Sequence, residues 1–272
     1  MDSKQASDIA SDTIGIIKAG FYTSPLGRRV IVGNDVIFSK GSTETFTTTP
    51  KILAAGKKSN ITVVNQSAMV AASELTDSVA PSVTGVGILN FASGRNPGGG
   101  FLHGAIAQEE CLARSSALFP CLESHEMYTR HRASKDPMYS ATMIYSPKVL
   151  FFKGDDGNLL EVPKRYGVLT APAVNAHDYL RKNSGKEDVI KTEMEKRIGM
   201  TLSIFALKEH DNIVLGAWGC GAFGNDPIII ARLFSDALKG PFKGAFDQVV
   251  FAVMDDRPGT PMFNAFQKAL VG

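Results

Sequence analysis

Two adjacent carboxylates, Glu109 and Glu110, follow a glycine-rich stretch and could together perform acid–base chemistry. The chain there runs NPGGG, then seven residues, then QEE. The glycines Gly98–Gly100 have no side chains and adopt positive φ angles readily, so this loop can wrap closely around a ligand. Successive helical residues point about 100° apart, so one carboxylate can face a pocket while its neighbour turns aside. The pair therefore fits one acid–base residue and one positioning residue.

The same pair also has a purely structural interpretation. The pattern predicts a helix over about residues 108–118, which places both glutamates in its first turn. The positive end of the helix dipole favours carboxylates at such positions and keeps them ionised without any catalytic task. The two glutamates alone leave both interpretations open.

A second glycine cluster, GCGAFG at Gly219–Gly224, follows the apolar run IVLGA and precedes Asp226-Pro227. It has the GxGxxG form of a dinucleotide-binding turn, in which backbone N–H groups and a helix N-terminus hold a diphosphate. Asp255 and Asp256 follow the next predicted strand, where an acidic partner for a ribose could be sought. However, the cluster lies near the end of the chain, and dinucleotide fingerprints usually lie in the first strand–helix unit. An ordinary glycine-rich turn is the structural alternative.

Strands and helices that alternate along the chain would position these two loops. Seven runs are rich in Val, Ile, Leu and Phe, and most lack polar alternation, as is typical of strands covered on both faces. They lie at about residues 28–32, 61–65, 85–92, 143–152, 167–174, 212–217 and 247–254. Helices are predicted at about residues 5–20, 108–118 and 186–207, and after the N-cap and proline pairs Asp226-Pro227 and Thr260-Pro261. Gly240 and Leu270 mark the expected ends of these last two helices.

Alternating strands and helices predict an α/β layered sandwich. No internal repeat, low-complexity tract or linker divides the sequence. We therefore expect one domain over residues 1–272, with an N-terminal helical extension over residues 1–27.

Composition excludes several classes of protein. The 272 residues are 44% hydrophobic and 21% charged, as in ordinary globular proteins, and the net charge of +2 argues against direct nucleic-acid binding. Cys111, Cys121 and Cys220 form no CxxC pair, so we expect neither a disulfide framework nor a metal site. The N-terminus lacks a secretory signal, and no apolar run approaches the roughly 18 residues of a membrane helix. We expect an intracellular protein, in the cytoplasm or the nucleus, without a cofactor.

The two glycine loops resemble those of the bacterial-type (microbial) poly(ADP-ribose) glycohydrolases, which have the macrodomain fold. The resemblance rests on GILNFASGRNPGGGFLHGAIAQEECLARSS and on LGAWGCGAFGNDP, which lies where the family places its second ligand loop. The stretch ITVVNQSAMVAA resembles a weaker family segment, with Gln66 where the family usually has an acidic residue. The resemblance covers most of residues 28–272 and implies a macrodomain-like three-layer α/β/α sandwich with a mixed central sheet.

The resemblance also implies roles for individual residues. Glu110 would be the catalytic acid that protonates the departing 2′-oxygen, and Glu109 would hydrogen-bond and orient the ribose beyond the scissile bond. Asn96 would bind the hydroxyls of the terminal ribose, and Phe223 would pack on that ribose. The predicted diphosphate cradle consists of the backbone N–H groups of Gly98, Gly99, Gly100, Gly219, Cys220, Gly221, Ala222 and Gly224.

Other polar and aromatic residues receive structural interpretations. Gln108 is expected to hold the loop that precedes it, and Trp218 to pack beneath the second glycine loop. Asn65 is expected to end a strand as a turn residue, and His103 to be exposed to solvent. The segment 255–259 is expected to form the turn before the last helix.

The function implied by the resemblance is hydrolysis of poly(ADP-ribose) from its terminal end, with release of ADP-ribose, in the response to DNA damage. The expected partners are poly(ADP-ribose), ADP-ribose and ADP-ribosylated proteins as substrates, without direct contact to nucleic acid or membrane, and the protein is expected to be a monomer. Three alternatives remain. A macrodomain that only binds ADP-ribose would not need the two glutamates, and a mono-ADP-ribosyl hydrolase would be a close variant. A nicotinamide-dependent oxidoreductase would use GCGAFG but has no use for the NPGGG and QEE loop.

Overall fold

A computed structural model of the protein describes residues 1–52, 56 and 58–272. Its strands are β1 Phe21–Thr23, β2 Arg29–Ile31, β3 Glu44–Phe46, β4 Asn60–Val64, β5 Gly87–Ala92, β6 Met143–Lys153, β7 Leu159–Pro172, β8 Asn212–Gly216 and β9 Gln248–Ala252. Its α-helices are α1 Ser3–Ala19, α2 Gly33–Gly41, α3 Ala68–Ser78, α4 Gln108–Ser115, α5 Phe119–Leu122, α6 Glu126–Ser134, α7 Ala176–Leu180, α8 Glu187–Leu207, α9 Pro227–Lys239 and α10 Pro261–Leu270. A short 3-10 turn covers Phe101–His103.

Seven of these strands form one mixed sheet with the order β3-β6-β7-β5-β8-β9-β4. The pairs β3–β6 and β6–β7 are antiparallel, whereas β7, β5, β8, β9 and β4 run parallel to one another. The expected mixed central sheet is therefore confirmed.

Helices cover both faces of this sheet, which explains why its strands are apolar without alternation. Adjacent residues of a strand point to opposite faces. In β5, Ile88 packs with the helices α3–α6, and Leu89 packs with α8–α10 on the other face. Val214 and Leu215 of β8 are divided in the same way. The expected three-layer α/β/α sandwich follows from this double burial.

The predicted N-terminal helix is confirmed as α1. A capping box begins it, since Asp2 Oδ1 accepts from the N–H of Gln5 at 2.8 Å and Gln5 Oε1 accepts from the N–H of Asp2 at 3.0 Å. It ends at Gly20, where φ is +76°. The Ser7 hydroxyl donates to the carbonyl of Leu102 at 2.9 Å, so the helix supports the loop that precedes the glutamate pair.

Two predicted elements differ from the structure. The run at 28–32 forms β2, which pairs with β1 in a separate two-stranded antiparallel sheet rather than in the central sheet. The helix predicted over 108–118 ends at Ser115. The chain turns there into an isolated bridge between Ser116 and Phe151 of β6, and the N–H of Ala117 donates to Leu150 O at 2.9 Å.

The two predicted N-caps have different outcomes. Asp226 caps α9 as expected, since its Oδ1 accepts from the N–H of Ile228 at 2.7 Å, and the helix ends before Gly240. Thr260 precedes α10 as expected, but its side chain makes no capping hydrogen bond and its φ is +44°. In the part of the chain that the structure describes, no helix has both the length and the apolarity needed to span a membrane.

Candidate active site

The two glycine loops open at the same edge of the sheet. The first loop, residues 93–107, follows β5, and the second loop, residues 217–226, follows β8. The strands β5 and β8 are parallel neighbours, so both loops leave their carboxyl ends side by side, where α/β sheets bind ligands. A cavity of about 580 Å³, here called the main cavity, lies between them.

Glu109 lies in the wall of the main cavity, but its carboxylate is directed inward. The residue is only 3% exposed. Its Oε2 accepts from the N–H of Ser93 at 2.6 Å, and its Oε1 is 3.4 Å from the Nδ2 of Asn90. Both oxygens are thus held by the end of β5 and the start of the first loop.

Burial changes the charge of Glu109. Desolvation raises the pKa of its carboxyl to about 8, against the hydrogen bond from Ser93 and with a further increase from the nearby Glu110. Glu109 therefore carries a proton at neutral pH. The interpretation in which the helix dipole keeps both glutamates ionised is wrong for Glu109, because loss of water outweighs the dipole at a buried position.

Glu110 faces the main cavity and is half-buried. Its Oε1 accepts from the N–H of Gly100 at 2.9 Å. Gly99, with φ +62°, lies beside both carboxylates, and a Cβ there would meet the Glu110 carboxyl group. The triple glycine thus lets the loop backbone approach the pair and fix the direction of Glu110.

Gln108 holds the first loop against the sheet, as predicted. Its Oε1 accepts from the N–H of Phe91 at 2.9 Å, and its Nε2 donates to Leu89 O at 2.8 Å. These bonds continue the sheet's hydrogen-bonding pattern into the first turn of α4. The side chain is structural and places the following two glutamates.

The second loop is fixed from below by a buried amide. Asn225 donates through Nδ2 to Val174 O at 2.8 Å and to Gly219 O at 3.0 Å. Gly219 has φ +76°, and a Cβ there would lie 2.6 Å from that Nδ2, so only glycine fits. Trp218 is buried beneath the loop, as predicted, with its Nε1 donating to Ala171 O at 3.0 Å.

The tip of the second loop is open towards the main cavity. Gly221 is exposed, and a Cβ built on it would have no atom within 4 Å. Ala222 and Phe223 line the cavity beside it. The ring of Phe223 is half-buried, and its centroid lies 6.0 Å from that of Tyr139. This loop therefore offers backbone N–H groups and one aromatic ring to a ligand.

The predicted site residues fall into two sets. Those that line the main cavity are Glu109, Glu110, Gly219, Gly221, Ala222 and Phe223. Those outside its lining are Asn96, Gly98, Gly99, Gly100, Cys220 and Gly224. Asn96 is exposed, and its N–H donates to Ser93 Oγ at 3.1 Å. The expected cradle of N–H groups is not open at four positions of this second set. The N–H groups of Gly99, Gly100, Cys220 and Gly224 donate within the protein, to Asn96 O, Glu110 Oε1, Ala217 O and Gly221 O.

Two residues near the pair were not predicted from the sequence. Asn90 is fully buried, and its Oδ1 has no hydrogen-bond partner among the described residues. The hydroxyl of Tyr128, also without a partner there, lies close enough to Glu109 for that carboxylate to raise the pKa of the phenol, after the larger effect of burial. The polar Asn90 inside the apolar run GILNFA is the signal that could have revealed this buried polar group.

The segment after β9 is structural. The carboxylate of Asp255 accepts from the N–H groups of Met262 and Phe263 at 2.7 and 3.3 Å and so caps α10 in place of Thr260. The guanidinium of Arg257, 2.7 Å from Asp255, holds the pKa of that carboxyl well below its usual range. The predicted turn before the last helix is confirmed.

Asn65 and His103 also lie as expected. Asn65 Oδ1 accepts from the N–H of Asp255 at 2.9 Å and joins the ends of β4 and β9, as a turn residue would. His103 is exposed in the first loop.

The fold and the cavity define a macrodomain-like α/β/α protein whose ligand cavity holds a pair of adjacent glutamates. Comparisons with known proteins narrow this class. The sequence profile described as "Microbial-type PARG, catalytic domain" matches residues 10–154. No curated protein sequence matches the chain.

Solved structures agree with this match. The poly(ADP-ribose) glycohydrolase of Thermomonospora curvata is 38% identical with a TM-score of 0.91, over 98% of this chain and 100% of that one. The same enzyme bound to the inhibitor ADP-HPD is 38% identical with a TM-score of 0.88, over 97% and 99% of the two chains. The poly(ADP-ribose) glycohydrolase of Deinococcus radiodurans in complex with ADP-ribose is 35% identical with a TM-score of 0.80, over 87% and 97%. The chain belongs to the microbial-type poly(ADP-ribose) glycohydrolase family.

Proposed function

We propose that the chain is a poly(ADP-ribose) glycohydrolase that hydrolyses the ribose–ribose bond at the end of the polymer and releases ADP-ribose. The observation that carries this is the pair Glu109 and Glu110 in the wall of the cavity between the two glycine loops. The structures of related enzymes with ADP-ribose and with ADP-HPD support a ligand of this chemistry.

Glu110 is the better placed of the two to act as the general acid. Its carboxyl is half-buried in the wall of the main cavity, and one oxygen is fixed by the N–H of Gly100. Both oxygens of Glu109, by contrast, face Asn90 and Ser93. Glu110 would donate a proton to the departing 2′-oxygen and would then, as carboxylate, accept a proton from the attacking water. A single carboxyl group thus carries out both proton transfers.

The ribose that develops positive charge needs stabilisation in the transition state. Glu110 acts as acid and base and Glu109 is turned inward, so the substrate's own diphosphate would supply negative charge near the oxocarbenium ion. Glu109, protonated at neutral pH, adds no further charge. Because its oxygens face Asn90 and Ser93, its side chain would have to turn towards the cavity before it could donate a hydrogen bond to a ribose oxygen.

The second loop supplies the proposed diphosphate site. Gly221 and Ala222 present backbone at the cavity wall without large side chains, and the N-terminus of α9 follows the loop. Phe223 would pack against the terminal ribose and fix its anomeric carbon near Glu110. From the first loop, the exposed side chain of Asn96 would complete the contacts to that ribose. The N–H groups of Gly99 and Gly100 already donate to Asn96 O and to Glu110 Oε1, so they hold the loop and the acid in place.

The alternatives use only part of this arrangement. A macrodomain that only binds ADP-ribose needs the second loop but not the buried glutamate pair. An oxidoreductase would use the second loop for its nucleotide, yet it has no use for Glu110 directed into the cavity. ADP-ribosylated proteins remain the proposed bearers of the polymer, and a monomer the proposed state of the enzyme.

The decisive experiment supplies the protein with purified poly(ADP-ribose) and separates the products by size. The proposal requires free ADP-ribose to accumulate from the first time points, with no oligomeric fragments preceding it. A protein carrying a single ADP-ribose group, tested in parallel, identifies a mono-ADP-ribosyl hydrolase. Tight ADP-ribose binding without release of product from either substrate would show a binding protein and contradict the proposal.

A further inference from the structure

A second cavity, here called the basic pocket, concentrates positive charge in a protein whose net charge is only +2. Its volume is about 380 Å³. The charged side chains that line it are five cations and one carboxylate: Arg95, Arg132, Lys135, Arg181, Lys182 and Asp178. Five cations around one small cavity repel one another unless an anion enters.

Within the described residues, Arg181 alone of the five cations has a carboxylate partner. Arg181 lies 3.1 Å from Asp178, which also accepts from Asn175 Nδ2 at 3.0 Å. Among the described residues, no carboxylate forms an ion pair with any of the other four. The protein therefore leaves most of the positive charge in this pocket unneutralised.

Helix ends account for only part of this cluster. Arg132 lies in the last turn of α6, Lys135 caps it, and Arg181 and Lys182 follow α7, where cations favour the negative end of a helix dipole. Arg95 comes instead from the first loop, so the helix dipoles do not explain its presence in the pocket.

The guanidinium of Arg95 is incompletely satisfied. Its Nε is buried and has no hydrogen-bond partner among the described residues. One Nη reaches Lys135 O only at 3.4 Å. The guanidinium thus keeps donor capacity that the described residues do not use, which an anion entering the pocket would satisfy at the Nη groups.

The basic pocket adjoins the main cavity on the side of Phe223. The Phe223 ring contacts Tyr139, and the Arg95 guanidinium lies 5.8 Å from the centroid of that same Tyr139 ring. The first loop also connects the two sites, since Ser93, which donates to Glu109, precedes Arg95 by two residues. A chain leaving the main cavity beside Phe223 therefore meets the basic pocket next.

We propose that the basic pocket binds the diphosphate of the ADP-ribose unit next to the terminal one. This rests on the proposed function, in which Phe223 holds the terminal ribose and the polymer continues from its anomeric carbon. A diphosphate fits because Arg95 carries a planar guanidinium and the lysines add point charges. Arg132, which donates to Arg95 O at 2.6 Å and to Thr129 Oγ1 at 3.2 Å, holds the Arg95 backbone at the pocket and adds positive charge. The pocket would favour polymer over free ADP-ribose, because only the polymer has a second diphosphate.

The test compares binding of a defined ADP-ribose trimer with binding of monomeric ADP-ribose. The variant is Lys135→Gln with Lys182→Gln, since both side chains are exposed and neither holds the fold through a side-chain bond. Placed in a Glu110→Gln background, it allows the trimer to be titrated without turnover. We expect trimer affinity to fall about 10-fold, with a shallower dependence on salt and unchanged affinity for the monomer.

The matched control is Lys243→Gln with Lys268→Gln, which removes two exposed charges that line neither the basic pocket nor the main cavity. Equal trimer affinity in the two double variants would overturn the proposal, as would an equal loss for monomer and trimer. If the Lys135→Gln, Lys182→Gln variant loses affinity for single-stranded RNA but keeps its affinity for the trimer, the pocket binds nucleic acid and the proposal is overturned. Because this titration needs no catalysis, it remains informative if the wild-type protein fails to release ADP-ribose, a result that would contradict the proposed function itself.

Discussion

The two glycine loops contain similar residues but use them differently. In the first loop, Gly99 has φ +62°, and a Cβ on it would lie 2.8 Å from Glu110 Cδ and 3.1 Å from Glu109 Oε2. In the second loop, Gly221 has no atom within 4 Å of the position a Cβ would take. The first loop is crowded by the two carboxylates of α4, whereas the second loop is open to a ligand.

Glycines in such loops can therefore have two different roles: they allow close packing within the protein, or they leave space for a ligand. Gly99 is needed so that the backbone can approach the glutamate pair. Gly221 leaves space that the ligand would fill. Substitutions at the first position should therefore disturb the apoprotein, and those at the second should be felt only when ligand binds.

The largest effect is expected from substitution of Glu110, the acid that the first loop holds in place. Glu110→Gln keeps an oxygen for the N–H of Gly100 but cannot donate the carboxyl proton. We expect poly(ADP-ribose) cleavage to fall by about 10²–10⁴-fold, the usual contribution of one general acid, while ADP-ribose affinity stays near that of the parent. Cleavage rates and calorimetric affinities measured on the same preparation check this. Cleavage at the parent rate would remove Glu110 from the role of acid.

Glu109 should reveal itself through the pH dependence of stability. Between its ordinary pKa of 4.5 and the raised value of about 8, the folded protein keeps a proton that the unfolded chain has lost. The free energy of unfolding therefore falls as pH rises through this window. Glu109→Gln removes that penalty and should stabilise the protein by about 3 kcal/mol at pH 7, from roughly 1.4 kcal/mol per unit, with little difference at pH 4.

Urea unfolding at pH 4, 7 and 8 measures this difference. Glu195→Gln, at an exposed position of α8, is the matched control and should show no such trend. If the stabilisation by Glu109→Gln is the same at pH 4 and pH 8, Glu109 does not retain its proton in the folded state.

The open position should respond only to ligand. Gly221→Val places its side chain in the main cavity, where it would take the space of the diphosphate. We expect ADP-ribose affinity to fall by about 5- to 150-fold, corresponding to an overpacking cost of about 1–3 kcal/mol, with Tm unchanged. Gly221→Ala should have a smaller effect on affinity. Parent-like affinity of the valine variant in calorimetry would exclude the second loop from the site.

The crowded position should show the opposite pattern. Gly99→Ala meets the Glu110 carboxyl group and holds a non-glycine residue at positive φ, which by itself costs about 1–2 kcal/mol. We expect a lower Tm and reduced cleavage, because Glu110 must move. Gly27→Ala is the control, since Gly27 has φ +80° but no atom near its missing Cβ. If both variants lose stability equally and cleave normally, crowding at Gly99 has no bearing on catalysis.

The sequence alone predicts where the two glycine loops lie but not how their surroundings differ. Long apolar runs predict the strands β5, β8 and β9, and the spacing of NPGGG and QEE locates the first loop, because these signals are local. The raised pKa of Glu109 depends on burial by distant elements. The basic pocket joins Arg95 to residues of α6 and α7, which only the folded chain brings together. Thr260 shows the same limit, since the distant carboxylate of Asp255 replaces it as the cap.

A crystal structure of the Glu110→Gln protein with ADP-ribose tests the central claim most directly. The account predicts the diphosphate against the backbone of Gly221 and the terminal ribose against Phe223. It also predicts the anomeric carbon's oxygen within hydrogen-bond reach, about 3 Å, of the residue 110 side chain. A terminal ribose that lies away from residue 110, with the diphosphate outside the second loop, would contradict it.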